Sequence, residues 1–252
     1  MSDDFESLVA EAGNVDVSGW DFGWLAGRAT EQRPSWGYQR LIGERLSGVD
    51  SALDVQTGGG EVLDGVPRFP PAMAATEGYP PNVALATRRL HPRGVVVVAD
   101  PDEPPLPFAD AAFELVISRH PVTVWWTEIA RVLRPGGTYV GQHIGPDSAR
   151  ELYEFFLGPQ PDEQHPRDPD RERADAEAAG LRVLTARLER LRMEFFDIGA
   201  VVYFLRKVIW IVPDFGVDRY RDRLRELHDR IRRDGSFVAH STRVLFEAEA
   251  GR

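Results

Sequence analysis

The stretch ALDVQTGGG, residues 52–60, decides the fold of this chain. A short apolar segment with strand character runs directly into three consecutive glycines, and Glu61 then begins a helical segment. Glycines let the backbone turn sharply and lie against a ligand, and a helix N-terminus offers unpaired amide protons. The stretch therefore predicts a strand, a turn and a helix that hold a nucleotide or an adenosine-containing ligand. Gln56 departs from this pattern because it stands where a close backbone approach favours glycine.

Strand-like and helix-like segments alternate on both sides of this stretch, as in sheets whose parallel strands are joined by crossover helices. The predicted strands are 52–55, 71–77, 94–100, 112–120 and 134–145, and the predicted helices are 35–47, 80–90 and 122–133. GVVVVAD at 94–100 is an uninterrupted β-branched run, which we expect to be buried on both faces of the sheet. The pattern predicts a doubly wound, mostly parallel, Rossmann-like α/β sheet of seven strands.

The last third of the chain is predicted to complete this sheet around a helical insertion. Residues 146–180 are rich in proline and charge, which favours a solvated loop or flap, and 181–196 reads as a strand or strand pair. The segments 197–212 and 217–235 have helical character, and 241–250 is the last predicted strand. We expect one domain, 1–252, in which 1–48 forms a helical cap, 49–145 the cofactor-binding core and 146–252 the remaining elements.

Composition narrows the function classes. The formal charge of −10 disfavours a phosphate backbone as partner, so a small-molecule substrate is expected and nucleic acid is not. The chain has no cysteine, which excludes disulfides, thiolate nucleophiles and cysteine-ligated zinc. The N-terminus lacks signal-peptide features and no apolar run reaches membrane length, so we expect a cytoplasmic protein without membrane contact. A homodimer is one option for its assembly.

Acidic residues follow three successive predicted strands, where open α/β sheets bind their ligands. Asp54 precedes the glycines, Glu77 ends the second strand, and Asp100 and Asp102 lie in the acidic turn after the third. A carboxylate at the Glu77 position can accept hydrogen bonds from ribose hydroxyls, although a helix N-cap is an equal alternative. The dinucleotide fingerprint G-x-G-x-x-G fails at Leu63, which favours an adenosine ligand without a pyrophosphate.

At this point the chain resembles the class I S-adenosylmethionine-dependent methyltransferases over residues 49–145. ALDVQTGGGE is similar to the family's D-x-G-x-G-x-G cofactor loop, and ATEGYPPN is similar to its acidic segment after the second strand. LPFADAAFELVISRH and EIARVLRPGGTYV resemble its L-P-F-x-D-x-x-F-D-x-V and E-x-x-R-V-L-R-P-G-G segments, in the same order. The resemblance implies a methyltransferase fold, with S-adenosylmethionine as cofactor and S-adenosylhomocysteine as product.

The resemblance also implies roles for particular residues. Asp54 would orient the glycine loop near the methionine amino group, Glu77 would hold the ribose, and Asp100 and Asp102 compete for the adenine contact. Gln56 either obstructs the cofactor or bonds its methionine end, so the loop is a working site or the remains of one. The full set of cofactor-binding residues that the resemblance implies is Asp54, Gln56, Thr57, Gly58, Gly60, Glu77, Gly78, Asp100, Pro101, Asp102, Ser118 and Arg119.

The candidates for a general base are histidines. His120 follows the fourth strand, where the resemblance places the start of the substrate pocket, and a histidine suits proton removal near neutrality. The alternative for His120 is a structural residue of its turn, and His143 and His240 are weaker candidates. No metal site is expected, because the histidines show no helical i, i+4 pairing; they are His91, His120, His143, His165, His228 and His240.

Aromatic residues near the chain ends are candidates for a cap and a pocket lining, although core packing is the simpler reading for each. They are Trp20, Phe22, Trp24, Trp36 and Tyr38 before the sheet, and Phe195, Phe196, Tyr203, Phe204 and Trp210 in the insertion. The sequence thus predicts a methyltransferase that acts on a small molecule, such as a secondary metabolite. Two other classes stay open: a methyltransferase-like fold that binds the cofactor without methyl transfer, and an RNA methyltransferase.

Overall fold

The computed structural model of the chain describes residues 4–161 and 168–251. His165 and part of the predicted flap lie outside these residues. The chain divides into two compact units, which are treated separately below. The core unit comprises Pro34–Pro146, Pro166–Glu189 and Arg243–Arg252, and the helical unit comprises Met1–Arg33, Asp147–His165 and Arg190–Thr242, each in its described part. The expectation of a single domain stays a prediction.

The core unit is built from alternating strands and helices, as the sequence pattern predicts. Its strands are β2 (Ser51–Val55), β3 (Ala72–Glu77), β4 (Val95–Ala99), β5 (Phe113–Arg119) and β6 (Leu133–Ile144). Its helices are α2 (Tyr38–Leu46), α3 (Glu61–Asp64), α4 (Pro80–Leu90), α5 (Trp126–Val132) and α7 (Pro169–Ala178). Prolines open α4, where their missing amide protons cost little.

One mostly parallel sheet contains all the strands that the structure describes, in the order β1-β7-β8-β6-β5-β2-β3-β4, where β1 is Ala29–Glu31, β7 is Leu181–Phe195 and β8 is Phe237–Ala250. The strands β6, β5, β2, β3 and β4 are parallel neighbours, and β8 runs antiparallel to β6. The α/β class is confirmed. The sheet has eight strands instead of seven because the short β1 pairs with β7, inside a segment that we expected to be entirely helical.

β4 corrects one expectation about burial. Its valine run predicts a strand covered on both faces, but β4 is the last strand of the sheet order and Val96 is 60% exposed. An edge strand has a neighbour on one side only, so β-branched residues there reflect strand propensity more than complete burial. The central strands carry the buried residues: every residue of β2 is buried.

The interior of the core unit follows the two-residue period of its strands. Val116 of β5 packs in one apolar cluster with Leu53 and Tyr139, and its neighbours Leu115 and Ile117 pack in a second cluster. Successive side chains of a strand point to opposite faces, so these clusters fill the two sides of the parallel strands. The helices cover them: Trp126 and Ile129 of α5 join the first cluster, and Ile42 and Leu46 of α2 join the second.

A polar clamp explains why the L-P-F-x-D and E-x-x-R segments occur together. The amide of Leu106 donates to Glu128 Oε2 at 2.7 Å, and Arg131 donates to the same oxygen at 2.6 Å. Arg131 also donates to the carbonyls of Leu106 and Phe108 and to Asp110. The hydrogen bond from Arg131 lowers the pKa of Glu128. These two motifs therefore fasten the turn before β5 to α5.

The helical unit corrects the prediction of a solvated flap. In its described part, 146–180 contributes α6 (Arg150–Leu157) to this unit and α7 to the core unit. Asp168 caps α7 by accepting from the amides of Asp170 and Arg171, which explains how a charged, proline-containing stretch forms a helix. The other helices of the unit are α1 (Phe5–Asn14), α8 (Ile198–Lys207) and α9 (Arg221–Asp234), around a shared apolar core.

The predicted helical insertion is confirmed in α8 and α9, and residues 181–195 form one strand instead of a pair. The apolar spacing of α9 buries Leu224, Leu227 and Ile231, and the helix ends at Gly235 in the left-handed conformation, as expected. Among the helices that the structure describes, none combines the length and apolar character that a membrane crossing requires.

Arg131→Met is expected to lower the free energy of unfolding by about 2–3 kcal/mol, because it removes the hydrogen bonds of the clamp and leaves the buried Glu128 without its cation. Urea denaturation measures this loss. Arg173→Met is the matched control, since within the described residues Arg173 forms an i,i+4 ion pair with the exposed Glu177 at 3.9 Å, and it should change stability by less than about 0.5 kcal/mol. Equal effects of the two substitutions would contradict the clamp.

Candidate functional site

The predicted cofactor residues lie on the loops that follow four adjacent parallel strands. β5, β2, β3 and β4 are neighbours in this order, so their carboxyl ends share one edge of the sheet. The glycine loop 56–60 follows β2, Glu77 ends β3, the acidic turn 100–105 follows β4, and His120 follows β5. Ligands of open α/β sheets bind at this edge, and all of these loops belong to the core unit.

Three non-glycine residues in these loops have left-handed backbone conformations. They are Gln56 with φ 59°, Asp102 with φ 58° and His120 with φ 56°. This conformation costs a non-glycine residue about 1–2 kcal/mol, and surrounding contacts must offset the cost. Such strain concentrates at functional sites, and here it occurs after β2, β4 and β5.

Glu77 joins the loops after β2 and β3. Its Oε2 accepts from the amide of Gly58 at 2.8 Å, and its Oε1 accepts from the amide of Tyr79 at 3.0 Å and from Asn82 Nδ2 at 3.4 Å. The side chain is only 7% exposed. An ionised carboxylate has about four acceptor positions, so these three bonds leave capacity for one further donor.

Asn82 is a buried residue of α4 that the sequence reading missed. Its Oδ1 has no hydrogen-bond partner in the part of the chain that the structure describes. An unsatisfied buried acceptor costs free energy, so a ligand that donates to it would be stabilised. The only sequence signal that could have identified Asn82 as a site residue was its position in a predicted helix, five residues after Glu77.

Gly78 lets the acidic turn approach Glu77 closely. A Cβ atom at Gly78 would lie 2.8 Å from Asp102 Oδ2 and 2.9 Å from the carbonyl oxygen of Asp100. Gly60 is confined in a similar way, because its φ is 81° and a Cβ there would lie 3.0 Å from Leu90 Cδ1. These two glycines are therefore required by the backbone geometry of the site.

The carboxylates of this edge are poorly solvated. Burial raises the pKa of Asp54 to about 7, and the charge of Glu77 adds to the rise, whereas Thr57 and Arg119 oppose it. Burial also raises the pKa of Asp102 to about 6, together with the negative charges of Glu77 and Asp100. Because a positive charge would offset this mutual repulsion, the site favours a ligand that is cationic and carries hydrogen-bond donors.

Gln56 keeps the backbone shape of a glycine and directs its side chain elsewhere. Its Oε1 accepts from the amide of Val122 at 2.6 Å, and its Nε2 donates to the carbonyl oxygen of Thr123 at 2.9 Å. Its own amide donates to Thr76 Oγ1 at 3.2 Å. The side-chain amide of Gln56 is thus occupied by the loop after β5.

The tautomer of His120 follows from a chain of hydrogen bonds. Trp36 Nε1 donates to Gln142 Oε1 at 2.8 Å, and an indole N–H can only donate. Gln142 must then present its Nε2 to His120 Nε2, 3.0 Å away, so that ring nitrogen accepts and the neutral imidazole carries its proton on Nδ1. In this arrangement His120 Nε2 is not available as a base. The geometry therefore favours a structural role for His120 in its turn over a role as general base.

The other predicted cofactor residues have mixed surroundings. Ser118 is buried, and its hydroxyl donates to the carbonyl oxygen of Val55 at 2.8 Å, so it fastens β5 to β2. Arg119 and Thr57 both lower the pKa of Asp54, and the buried Thr57 hydroxyl has no hydrogen-bond partner within the described residues. Pro101 is exposed beside the buried Asp100. Asp100 accepts a hydrogen bond from the amide of Asp102 at 2.9 Å. Contact of either Asp100 or Asp102 with an adenine stays a prediction.

His143 lies in the interior and does not join these loops. It is 1% exposed, its Nε2 is 2.7 Å from the Tyr139 hydroxyl, and its Nδ1 is 2.8 Å from Glu172 Oε2. Gly141 is the strand residue between the two rings, and a Cβ there would collide with both Tyr139 and His143. With both nitrogens used inside the core, the structure gives His143 a packing role. His240 belongs to the helical unit, where it pairs with Glu151.

The aromatic expectations also need correction. Trp36 and Tyr38 are buried in the core unit, where Tyr38 donates to the carbonyl oxygen of Ser118 at 2.8 Å, so they support the strand ends from within instead of forming a cap. The remaining aromatic candidates belong to the helical unit; they are Trp20, Phe22, Trp24, Phe195, Phe196, Tyr203, Phe204 and Trp210.

Comparison with known proteins agrees with this geometry. Residues 53–141, which contain most of β2, all of β3, β4 and β5 and most of β6, match the family model described as a methyltransferase domain. The match covers these residues and not the whole chain, and it is a match to a methyltransferase domain. The resemblance read from the sequence is thereby confirmed. No curated protein matches the sequence of this chain.

Solved structures share the methyltransferase fold at low sequence identity. A Bacillus halodurans protein, provisionally assigned as a methyltransferase, is 17% identical with a TM-score of 0.60, over 86% of this chain and 99% of that one. The [4+2]-cyclase SpnF is 19% identical with a TM-score of 0.52, over 87% and 84%. A structure described for the conversion of a disulfide bond into a thioacetal group during echinomycin biosynthesis is 16% identical with a TM-score of 0.54, over 98% and 92%. At these identities the likeness concerns the fold alone.

The raised pKa of Asp54 predicts an effect on stability. A carboxyl group whose pKa is higher in the folded state than in the unfolded state destabilises the fold as pH rises from about 4 to about 7, by about 1.4 kcal/mol for each unit of difference. Asp54→Asn should therefore raise the Tm of the ligand-free protein at pH 8 and change it little at pH 4. Thermal unfolding monitored by circular dichroism measures both.

The control is Asp229→Asn, at an exposed position of α9, which should leave the Tm nearly unchanged at both pH values. An Asp54→Asn protein that is less stable than the native protein at pH 8 would contradict the assigned cost of this buried carboxylate.

Proposed function

We propose that the chain binds S-adenosylmethionine at the carboxyl ends of β2 to β5 and transfers its methyl group to an oxygen, nitrogen or carbon atom of a small molecule. The observation that carries the proposal is the arrangement around Glu77. Its remaining acceptor capacity and the unsatisfied Asn82 Oδ1 match the two hydroxyl donors of a ribose. We assign S-adenosylhomocysteine as the product that leaves this site.

The charge of the site fits the same ligand. Asp54, Glu77, Asp100 and Asp102 lie along this edge, and the pKa values of Asp54 and Asp102 are raised by burial and by their acidic neighbours. S-adenosylmethionine carries a positive sulfonium and an ammonium group, and both would offset this repulsion. Gly58 gives its amide to Glu77, and Gly60 and Gly78 allow the close backbone packing that shapes these loops.

The cofactor supplies the methyl group, and the residues of the chain supply position and charge. Holding two reactants in line can contribute about 7–11 kcal/mol of a barrier, so a general base is not required. Glu77 and Asn82 would hold the ribose, Asp100 or Asp102 the adenine amine, and Asp54 the methionine amino group. His120 would border the acceptor, with Nε2 committed to Gln142.

The acceptor is proposed to be a small molecule that acts in the cytoplasm, such as a secondary metabolite. The net charge of −10 supports this class over RNA. One alternative has a specific observation in its favour: SpnF, a structural neighbour with this fold, is described as a [4+2]-cyclase. Transfer of labelled methyl groups from the cofactor to small-molecule extracts supports the methyltransferase, whereas binding without transfer to any acceptor supports the alternative.

Glu77→Ala is expected to weaken the binding of S-adenosylhomocysteine by at least tenfold, because it removes an acceptor of the ribose and the carboxylate that orients Gly58. Calorimetric titration measures this affinity on samples whose folding has been verified by thermal melting.

Glu103→Ala is the matched control, because Glu103 is an exposed carboxylate of the neighbouring acidic turn and its replacement changes the net charge by the same amount. It should alter the affinity by less than about threefold, a change of roughly 0.6 kcal/mol. Native-like affinity in folded Glu77→Ala would refute the role of Glu77.

A further inference from the structure

The side chain of Gln56 connects the glycine loop to the segment that follows β5. One rigid amide group accepts from Val122 N–H and donates to the Thr123 carbonyl oxygen, so both of its ends are bonded to consecutive residues of the backbone. A glycine at position 56 would keep the left-handed conformation without strain but would make neither bond. The strained glutamine is therefore associated with a specific connection.

The segment His120–Trp125, here called the strap, is attached to two loops of the site and to strand β6. Gln56 holds it to the loop after β2, Trp125 Nε1 donates to the Asp102 carbonyl oxygen at 3.0 Å after β4, and the His120 ring contacts Gln142 of β6. Val122 is 80% exposed and Thr123 is also exposed. Val122 and Thr123 are thus held by the polar contacts of Gln56, whereas the flanking Pro121 is buried and Val124 packs against the first apolar cluster.

We propose that Gln56 is a positioning residue that fastens the strap across the cofactor loop, so that the strap must detach from Gln56 when the cofactor exchanges. The inference rests on the proposed function for its ligand. The proposal gives a role to the glutamine that stands at the first glycine position of the cofactor-loop motif. Gln56 couples the cofactor loop to the strap that begins at His120. The glycine loop 56–60 is then a working cofactor site that is also hydrogen-bonded to the strap.

The fastening is tested first in the ligand-free protein. In Gln56→Gly, the amide hydrogen of Val122 loses its acceptor and should exchange with solvent at least tenfold faster, as measured by NMR-detected hydrogen exchange. Gln56→Glu keeps an acceptor for Val122 but places a second acceptor against the Thr123 carbonyl, and it should give an intermediate rate. Unchanged Val122 exchange in both variants would overturn the inference, whatever the cofactor does.

The coupling is tested with the native protein and the same variants. The release rate of S-adenosylhomocysteine is measured by displacing bound radiolabelled ligand with an excess of unlabelled ligand. Gln56→Gly should release the ligand at least fivefold faster than the native protein. Release that is unchanged or slower, despite faster Val122 exchange, would overturn the coupling.

Gln39→Ala is the matched control, because Gln39 Nε2 also donates to a backbone carbonyl, that of Val62, at 2.8 Å without contacting the strap. It should leave Val122 exchange and ligand release unchanged. A native protein that binds neither S-adenosylmethionine nor S-adenosylhomocysteine would refute the proposed function and the coupling, while the exchange experiment would still decide the fastening.

Discussion

The hydrogen bond from the Gly58 amide to the Glu77 carboxylate is the interaction on which the candidate site depends. It joins the glycine loop after β2 to the end of β3, and the same carboxylate accepts from Tyr79 and Asn82 on the way into α4. Placing this charge in a nearly buried position has a consequence for its neighbours, since Glu77 contributes to the raised pKa values of Asp54 and Asp102. The geometry of these loops and the raised pKa values of the two aspartates therefore both depend on Glu77.

Stability and binding are opposed at this edge. Buried carboxylates and left-handed residues at Gln56, Asp102 and His120 cost free energy in the ligand-free protein. The compensation comes from contacts outside the site, above all the Glu128–Arg131 clamp and the apolar clusters on the two sides of the parallel strands. The sequence motifs thus divide into residues of the proposed cofactor site and residues that hold the loops.

The parallel core was predictable because its signals are local. Short apolar runs, glycines after β2 and prolines at the start of α4 each specify their own element, and the acids at the strand ends converge because parallel strands share one edge. Other features depend on neighbours distant in sequence. The exposure of Val96 follows from the edge position of β4, and the contact of Gln56 with Val122 joins residues that no periodicity relates.

The roles of the histidines also depend on residues that are distant in sequence. The position of His120 after β5 was evident from the sequence, but its tautomer depends on Gln142 and Trp36, which lie on other elements. His143 has the same strand-end signal in the sequence, yet Tyr139 and Glu172 hold it in the interior. Sequence patterns locate a strand end, whereas the direction of a side chain there depends on tertiary packing.

The central claim is that the carboxyl ends of β2 to β5 hold S-adenosylmethionine, and a crystal structure of the chain with S-adenosylhomocysteine tests it most directly. The account predicts ligand density at this edge, with the ribose hydroxyls on Glu77 and Asn82 and the adenine beside the acidic turn. Crystals grown at saturating ligand that show this edge without the ligand, or the ligand bound elsewhere, would contradict it.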